Sequence, residues 1–208
     1  MKLNNLTSLD PAEVARGVKG LAGASRLDHS VWREFHEDWE ALAIESEQLR
    51  MRLMLNGKLP LADRAADFSH GGLTETEAMA TVRLTQGFFR RTVLSAYQAQ
   101  CCVTSNPLTE LLVASHILPW ASHPEHRANP RNGLCLSRLY DGAFDRGLIT
   151  FDDNYRLVLG RRIRDHLTSQ TIHDSFAPYE GKALTLPEKF RPDQRFLDEH
   201  RKNLFRGA

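Results

Sequence analysis

The chain has 208 residues, 41% of them hydrophobic and 25% charged, which is ordinary for a globular protein with its own core. Because 27 Lys and Arg residues nearly balance 26 Asp and Glu residues, the overall charge neither indicates nor excludes nucleic-acid binding. No apolar run approaches the roughly 20 residues of a membrane span, so we expect a cytoplasmic protein without a signal peptide. Cys101, Cys102 and Cys135 form no C-x-x-C pair, so a zinc knuckle is not indicated and reduced thiols are expected.

The first third of the chain is predicted to be helical. Asp10-Pro11 is typical of a helix start, with Asp as the cap and Pro in the first turn. One long helix is predicted over about 28–55, because apolar residues recur there at helical spacing. Residues 58–73 contain a Pro and a Gly pair and are predicted to form a linker. A further helix is predicted over about 74–100.

The second half of the chain is predicted to mix strands with short helices. In chain order, the predicted elements are a strand at 110–117, a polar loop at 119–131, a strand at 133–136, a short helix at 139–146, a hairpin at 148–159, and helices at 163–169 and 192–205. The predicted fold class is therefore α+β. We divide the chain into a helical region and linker at 1–73 and a second domain at 74–208, whose motif core spans 110–150.

Four polar residues stand at the junctions of this strand, loop, strand and helix. His116 ends the first strand, Asn132 opens the second, and Asp141 and Asp145 share one face of the helix. Hydrolysis of a phosphodiester needs a base, a residue that orients it, and a cation that stabilises the charge. A neutral histidine can be the base, an amide can orient it, and paired carboxylates can bind a hard cation such as Mg²⁺.

Three short motifs surround these residues: SHILPW at 115–120, NGLCL at 132–136 and FDRGL at 144–148. Together they resemble the restriction-type branch of the HNH endonuclease family. The resemblance implies a ββα-metal core, beside the predicted hairpin and C-terminal helix, together with a divalent cation and a general-base role for His116. We therefore predict a metal-dependent endonuclease that cuts DNA, acting in restriction or phage defence. The cation is expected on His116, Asp141 and Asp145. Mg²⁺ is expected first, with Mn²⁺, Ni²⁺ and Zn²⁺ as alternatives.

The chain departs from the family pattern at two positions. Ser115 stands where many HNH enzymes carry an Asp or His metal ligand, although the restriction-type branch often has a small residue there. The third motif histidine is replaced by Tyr140 or by Asp141, depending on where the helix start is aligned. Asp141 would be a competent replacement, whereas a neutral phenol is a poor ligand for Mg²⁺. A degenerate HNH module that binds DNA or protein without cutting is therefore the alternative.

Four arginines near the motifs are candidate contacts to DNA phosphates, since arginine binds phosphate well. They are Arg131, Arg138, Arg161 and Arg162. An exposed arginine with no ligand is the ordinary alternative for each. Cutting both strands of a duplex needs two sites, which makes a homodimer attractive.

Overall fold

The computed structural model describes residues 8–17, 24–36, 38–57 and 77–207. In chain order, its helices are α1 (Pro11–Ala15), α2 (Arg26–Phe35), α3 (Trp39–Leu55), α4 (Glu77–Ala96), α5 (Arg138–Asp145), α6 (Arg161–Arg164), α7 (Gln170–Phe176) and α8 (Gln194–Asn203). The strands are β1 (Leu112–His116), β2 (Gly133–Ser137), β3 (Ile149–Phe151) and β4 (Leu157–Leu159). The predicted α+β class is confirmed. No helix in the described ranges is long and apolar enough to cross a membrane.

The N-terminal helices begin at side-chain caps, and one of these caps divides the long helix predicted over 28–55. The Asp38 carboxylate accepts a hydrogen bond from the backbone N–H of Ala41 at 2.9 Å, so a new helix starts there. Upstream, Ser25 and Asp28 form a capping box that starts α2. The prediction of a single helix was wrong. Apolar residues recur at helical spacing on both sides of Asp38, although the first helix ends at Phe35 and the Asp38 side chain caps the start of the next.

Helix α4 confirms the helix predicted over about 74–100, although it ends earlier. The residues after it, Gln98 and Ala99, have φ values of 53° and 51°. This left-handed backbone cannot continue a right-handed helix, so α4 ends before them. The predicted linker at 58–73 and the predicted helix start at Thr74 lie outside the described residues.

A buried carboxylate joins α3 to α4. The side chain of Glu47 on α3 is 6% exposed and forms ion pairs with Arg91 on α4 and with Arg50, the latter at 3.1 Å. A buried charge is costly unless it is paired, so these contacts favour one packing of the two helices over others.

The hairpin of β1 and β2 lies at the centre of the C-terminal half. The strands are antiparallel, with His116 opposite Gly133. Because side chains alternate along a strand, Leu112, Ala114 and His116 share the face that carries Gly133. Helix α4 covers this face so closely that a Cβ at Gly133 would overlap the side chain of Val93. The glycine therefore permits the contact between helix and hairpin.

Around this hairpin lie α5, which packs against both strands, and the second hairpin. The hairpin predicted over 148–159 is confirmed as β3 and β4, with Phe151 opposite Leu157. Phe144 of α5 is fully buried between these layers, and its ring lies 5.6 Å from that of Phe151. The core of the protein thus fills the space between the two hairpins and the helices α4, α5 and α8.

The C-terminal elements follow the prediction less closely. The helix predicted over 163–169 is the shorter α6, and α7 had not been predicted. The predicted closing helix over 192–205 is α8, with Asp193 as its cap and Pro192 outside the first turn. Only two apolar residues of α7, Ile172 and Phe176, pack against the core. Two positions are too few to show the helical spacing of apolar residues in the sequence.

A buried histidine fastens α8 to the core. The ring of His200 is stacked on that of Phe144 at 3.8 Å. Its Nε2 lies 3.1 Å from the carbonyl oxygen of Phe144 and its Nδ1 lies 3.0 Å from the hydroxyl of Thr150. Since a carbonyl only accepts, Nε2 donates and Nδ1 accepts from the hydroxyl. The neutral ring is thereby satisfied, and burial lowers the pKa of His200 to about 4.

Candidate functional site

His116 lies at the end of β1 with its imidazole enclosed by aromatic rings. It is stacked on Phe89 of α4 at 3.7 Å, and its edge meets Trp120 at 5.4 Å. Burial lowers the pKa of His116 from its ordinary value, so the imidazole is neutral near pH 7. A neutral imidazole is the form that can take up a proton.

A backbone carbonyl determines which nitrogen of His116 carries the proton. Nε2 of His116 lies 3.0 Å from the carbonyl oxygen of Arg127. A carbonyl oxygen can only accept, so Nε2 donates and the lone pair is left on Nδ1. The structure therefore presents His116 as a neutral ring with Nδ1 as its basic atom.

The side chain of Arg127 holds the loop that supplies this carbonyl. Its Nε donates to the carbonyl oxygen of Trp120 at 2.9 Å. Its guanidinium lies over the Trp120 ring, 5.0 Å from the centroid. Arg127 thus holds Trp120 with its side chain and His116 with its backbone.

Asn132 fixes both ends of the same loop. Its side chain is buried, and Oδ1 accepts from the backbone N–H of Leu118 at 2.8 Å. Its Nδ2 donates to the carbonyls of Leu118 and His126, at 3.3 and 3.2 Å. The Asn132 carbonyl also accepts from the N–H of Ile117 at 2.9 Å. An amide side chain suits this position because it donates and accepts without titrating.

Asp141 and Asp145 lie one helical turn apart on α5. The pKa of Asp145 is raised, first by burial and then by the negative charge of Asp141, while the nearby Arg146 opposes the shift. The two carboxylates therefore lie close enough to repel each other. Such a pair attracts a cation, which would relieve this repulsion.

The strand, loop, strand and helix that hold these residues fall within one segment that matches a known family. Residues 101–152 match the HNH endonuclease family. The match covers 52 of the 208 residues and includes His116, Asn132, Asp141 and Asp145. No curated protein matches the chain significantly. This segment is therefore similar to an HNH endonuclease domain, which suggests a nuclease-type function and supports the predicted resemblance to the HNH family.

Among the described residues, the three predicted metal ligands do not form one group. Within the described ranges, no three His, Cys, Asp or Glu side chains lie together so that they could hold one metal ion. His116 faces α4, and its Nε2 is bonded to a loop carbonyl, whereas Asp141 and Asp145 belong to α5. Of the three predicted ligands, only the two carboxylates, Asp141 and Asp145, are therefore placed so that they could bind one cation together.

Tyr140 is directed into the hydrophobic core rather than toward a cation. It is 2% exposed, and its hydroxyl donates to the carbonyl of Ser175. Its ring packs against those of Phe176 and Tyr179. Burial raises the pKa of Tyr140, so the phenol stays neutral and is a poor metal ligand.

Ser115 lies on the hairpin face opposite to His116 and is 2% exposed. Its hydroxyl oxygen is buried without a hydrogen-bond partner among the described residues. A buried hydroxyl in this position costs free energy, because it has lost its bonds to water. Nothing in the described surroundings of Ser115 explains why a hydroxyl stands there.

The four arginines predicted to contact DNA have different surroundings. Arg131 is partly buried and pairs with Asp10 at 3.4 Å. Arg138 is exposed at the start of α5, and Arg161 and Arg162 are exposed on α6. Arg161 and Arg162 are thus adjacent on one short helix, whereas Arg131 and Arg138 lie on other segments.

Sequence reasoning missed the residues that orient His116. Phe89 could be recognised only as an apolar position of a helix, and it is the packing of α4 on the hairpin that places it on the imidazole. Arg127 acts through its backbone carbonyl, which every residue possesses, so no residue type signals this role. Only the loop conformation reveals it.

Proposed function

We propose that this protein is a nuclease that hydrolyses phosphodiester bonds in DNA, with His116 as its general base. The observation that carries the proposal is the neutral imidazole whose Nε2 donates to the Arg127 carbonyl. The remaining nitrogen, Nδ1, has the lone pair that a base needs. The match of this segment to HNH endonucleases makes phosphodiester hydrolysis the reaction that fits such a base.

In the proposed reaction, Nδ1 of His116 removes a proton from the water that attacks the phosphorus atom. The P–O bond to the leaving sugar oxygen breaks, and that oxygen takes a proton from solvent. The ring then carries a positive charge, which the hydrogen bond from Nε2 to the Arg127 carbonyl stabilises. Asn132 acts indirectly, because it holds the loop from which that carbonyl projects. The aromatic rings of Phe89 and Trp120 keep the imidazole in one orientation.

We also propose that activity requires a divalent cation, as the family resemblance implies. Mg²⁺ is the first candidate because carboxylates are its preferred protein ligands, with Mn²⁺, Ni²⁺ and Zn²⁺ as alternatives. Asp141 and Asp145 are the residues that would hold it. A nicking assay on supercoiled plasmid with each cation, and with EDTA, tests this requirement.

The same assay tests the base. We expect His116→Ala to abolish nicking, while His29→Ala, which changes an exposed histidine of α2, retains it. Nicking that persists in His116→Ala at the rate of the wild type would exclude His116 as the base. Asp141→Asn and Asp145→Asn should each raise the cation concentration needed for half-maximal nicking, if these carboxylates hold it.

The second candidate function is a degenerate HNH module that binds DNA or protein without cleavage. It is favoured by the absence of an assembled three-ligand group among the described residues and by the burial of Tyr140. DNA binding in EDTA, with no nicking in any of the four cations, would support it. Nicking gained by Tyr140→His would identify the lost ligand.

We further propose a cytoplasmic role in restriction or phage defence, in keeping with the branch of the family that the motifs resemble. Cutting both strands needs two sites, and we propose a homodimer to supply them. Light scattering of the purified protein with and without duplex DNA measures the oligomeric state. Plating efficiency of phage on cells that express the wild type or His116→Ala tests the biological role.

A further inference from the structure

Three segments of the chain meet backbone to backbone just beyond the C-terminal end of α5. The N–H of Arg206 donates to the carbonyl of Gly147 at 2.9 Å, and the N–H of Arg161 donates to the carbonyl of Arg206 at 3.3 Å. Gly147 has a φ of +65°, and a Cβ there would overlap the carbonyl of Leu204. A Cβ at Gly160 would lie 2.9 Å from the carbonyl of Arg206. Both glycines are therefore needed for the C-terminal segment to lie here.

This meeting point places four exposed arginines on neighbouring segments. They are Arg146, Arg161, Arg162 and Arg206, which we call the arginine junction. Arg161 faces Asp165 at 3.7 Å, an exposed pair that contributes little free energy, so the guanidinium can exchange Asp165 for a phosphate. Arg162 and Arg206 form no ion pair within the part of the chain that the structure describes. The junction is thus locally basic in a chain whose net charge is only +1.

The arginine junction borders the carboxylate pair of the HNH domain. Arg146 follows Asp145 directly in the chain, at the C-terminal end of the helix that carries both carboxylates. The Arg146 side chain also donates to the carbonyl of Gly142 at 2.8 Å, which holds it along α5. Positive charge of this kind beside a nuclease site suits the phosphates that flank the bond to be cut, because duplex DNA carries closely spaced negative charges.

We infer that the arginine junction binds phosphates of duplex DNA beside Asp141 and Asp145 and so fixes the path of the DNA across the domain. The inference rests on the proposed function, which it extends by naming the surface and two arginines, Arg146 and Arg206, that were not among the predicted DNA contacts. Guanidinium groups bind phosphate with two parallel hydrogen bonds, which suits this contact. The binding is electrostatic and therefore depends on salt.

The test measures binding of the full chain to a fluorescently labelled DNA duplex, by anisotropy, in EDTA and over a series of NaCl concentrations. In a plot of log affinity against log salt the slope is negative, and each lost phosphate contact reduces its magnitude by about 1. We expect Arg161→Ala/Arg162→Ala/Arg206→Ala to bind more weakly, with a slope smaller by about 3. Arg162→Ala alone, which disturbs no described ion pair, should reduce the slope by about 1.

The matched control removes the same charge from the N-terminal helices. Arg26, Arg33 and Arg52 are exposed on α2 and α3, and the triple Ala variant of these should keep the wild-type slope. If the junction variants and the control have the same slope as the wild type, the junction does not contact DNA and the inference is overturned. If the wild type itself binds no duplex at low salt, the proposed function fails as well.

Discussion

His116 is held by residues from two distant parts of the chain. Phe89 of α4 stacks on the face of its ring, while Trp120 and the carbonyl of Arg127 approach from the loop between β1 and β2. Each contact restrains a different direction of movement of the imidazole. The orientation of the base therefore depends on the loop as much as on the strand that carries it.

This dependence predicts the effect of truncating Arg127. Arg127→Ala removes the hydrogen bond to the Trp120 carbonyl and the contact with the indole, so the loop and its carbonyl lose one restraint. We expect the single-turnover nicking rate to fall at least about tenfold, because small displacements of a catalytic group are costly. Arg127→Lys keeps the charge near the indole and should retain more activity. Nicking at the wild-type rate by Arg127→Ala would show that the loop does not position His116.

A substitution of Tyr140 tests whether its hydroxyl serves the fold or the reaction. Tyr140→Phe removes the hydroxyl that donates to the Ser175 carbonyl but keeps the buried ring. We expect the free energy of unfolding to fall by about 1 kcal/mol, the contribution of an ordinary hydrogen bond. Nicking should be unchanged, because the hydroxyl bonds to the Ser175 carbonyl and forms no described bond to His116. A large loss of nicking in the folded variant would instead give the phenol a part in the reaction.

The residues predicted from the motifs differ in how far sequence could place them. His116 and Asn132 lie at the junctions of β1 and β2, as the alternation of apolar and polar residues indicates. A ligand set that includes His116 could not be predicted reliably, because its assembly depends on which face of the hairpin each helix covers. Helix α4 covers the face with His116, and sequence periodicity does not report this choice.

At the scale of elements, the close approach of α4 to the hairpin depends on Gly133. Gly133→Ala would place a methyl group against Val93 and within 3.0 Å of the Phe89 ring. We expect it to lower the free energy of unfolding by about 1–3 kcal/mol, the range for overpacking a core. It should also reduce nicking, since Phe89 supports His116. Chemical denaturation measures the first effect and plasmid nicking the second.

Gly142 provides the control for this variant. It lies inside α5, and a Cβ there would meet only the guanidinium at the end of the exposed Arg146 side chain, at 3.3 Å. Gly142→Ala should therefore be neutral or stabilise the protein by up to about 1 kcal/mol, because Ala favours helix over Gly. Equal destabilisation by the two substitutions would contradict the account of the hairpin contact.

The attachment of α8 should make stability depend on pH through His200. Its pKa is about 4 in the folded protein and 6.5 ordinarily, so the folded state disfavours the protonated ring. This stabilisation is complete above about pH 6.5 and is lost as the pH falls toward 4, by roughly 3 kcal/mol. His200→Gln should remove this part of the dependence. Urea denaturation of both proteins at pH 7 and pH 4 checks it, and equal losses would contradict it.

The elements that sequence predicted best are those with strong periodicity or a defined turn. The four strands and α5 appear where the alternation, the polar loop at 119–131 and the short turn between β3 and β4 indicated them. The break before Asp38 was missed because one capping side chain outweighed a continuous apolar pattern. Helix α7 was missed because its sequence has few apolar positions and depends on packing against the core.

At the scale of the whole molecule, residues outside the segment that matches the HNH family also contribute to the candidate site. Residues 101–152 supply His116 and the carboxylates, but Phe89 and the C-terminal Arg206 lie outside the match. Helix α4 supports the base, and α8 carries the C-terminal segment to the arginine junction. The division into a region at 1–73 and a domain at 74–208 stays a prediction, as does the homodimer.

The most direct test of the central claim is the single-turnover rate of plasmid nicking as a function of pH, for the wild type and for His116→Ala. The base must be neutral, and burial lowers the pKa of His116 below 6.5, so protonation reduces the rate only on the acid side. With His116 as the base, we expect a constant wild-type rate around pH 7 and a decline in the rate at lower pH, with a midpoint below pH 6.5. We expect no nicking by His116→Ala. Equal rates and equal pH profiles for the two proteins would contradict it.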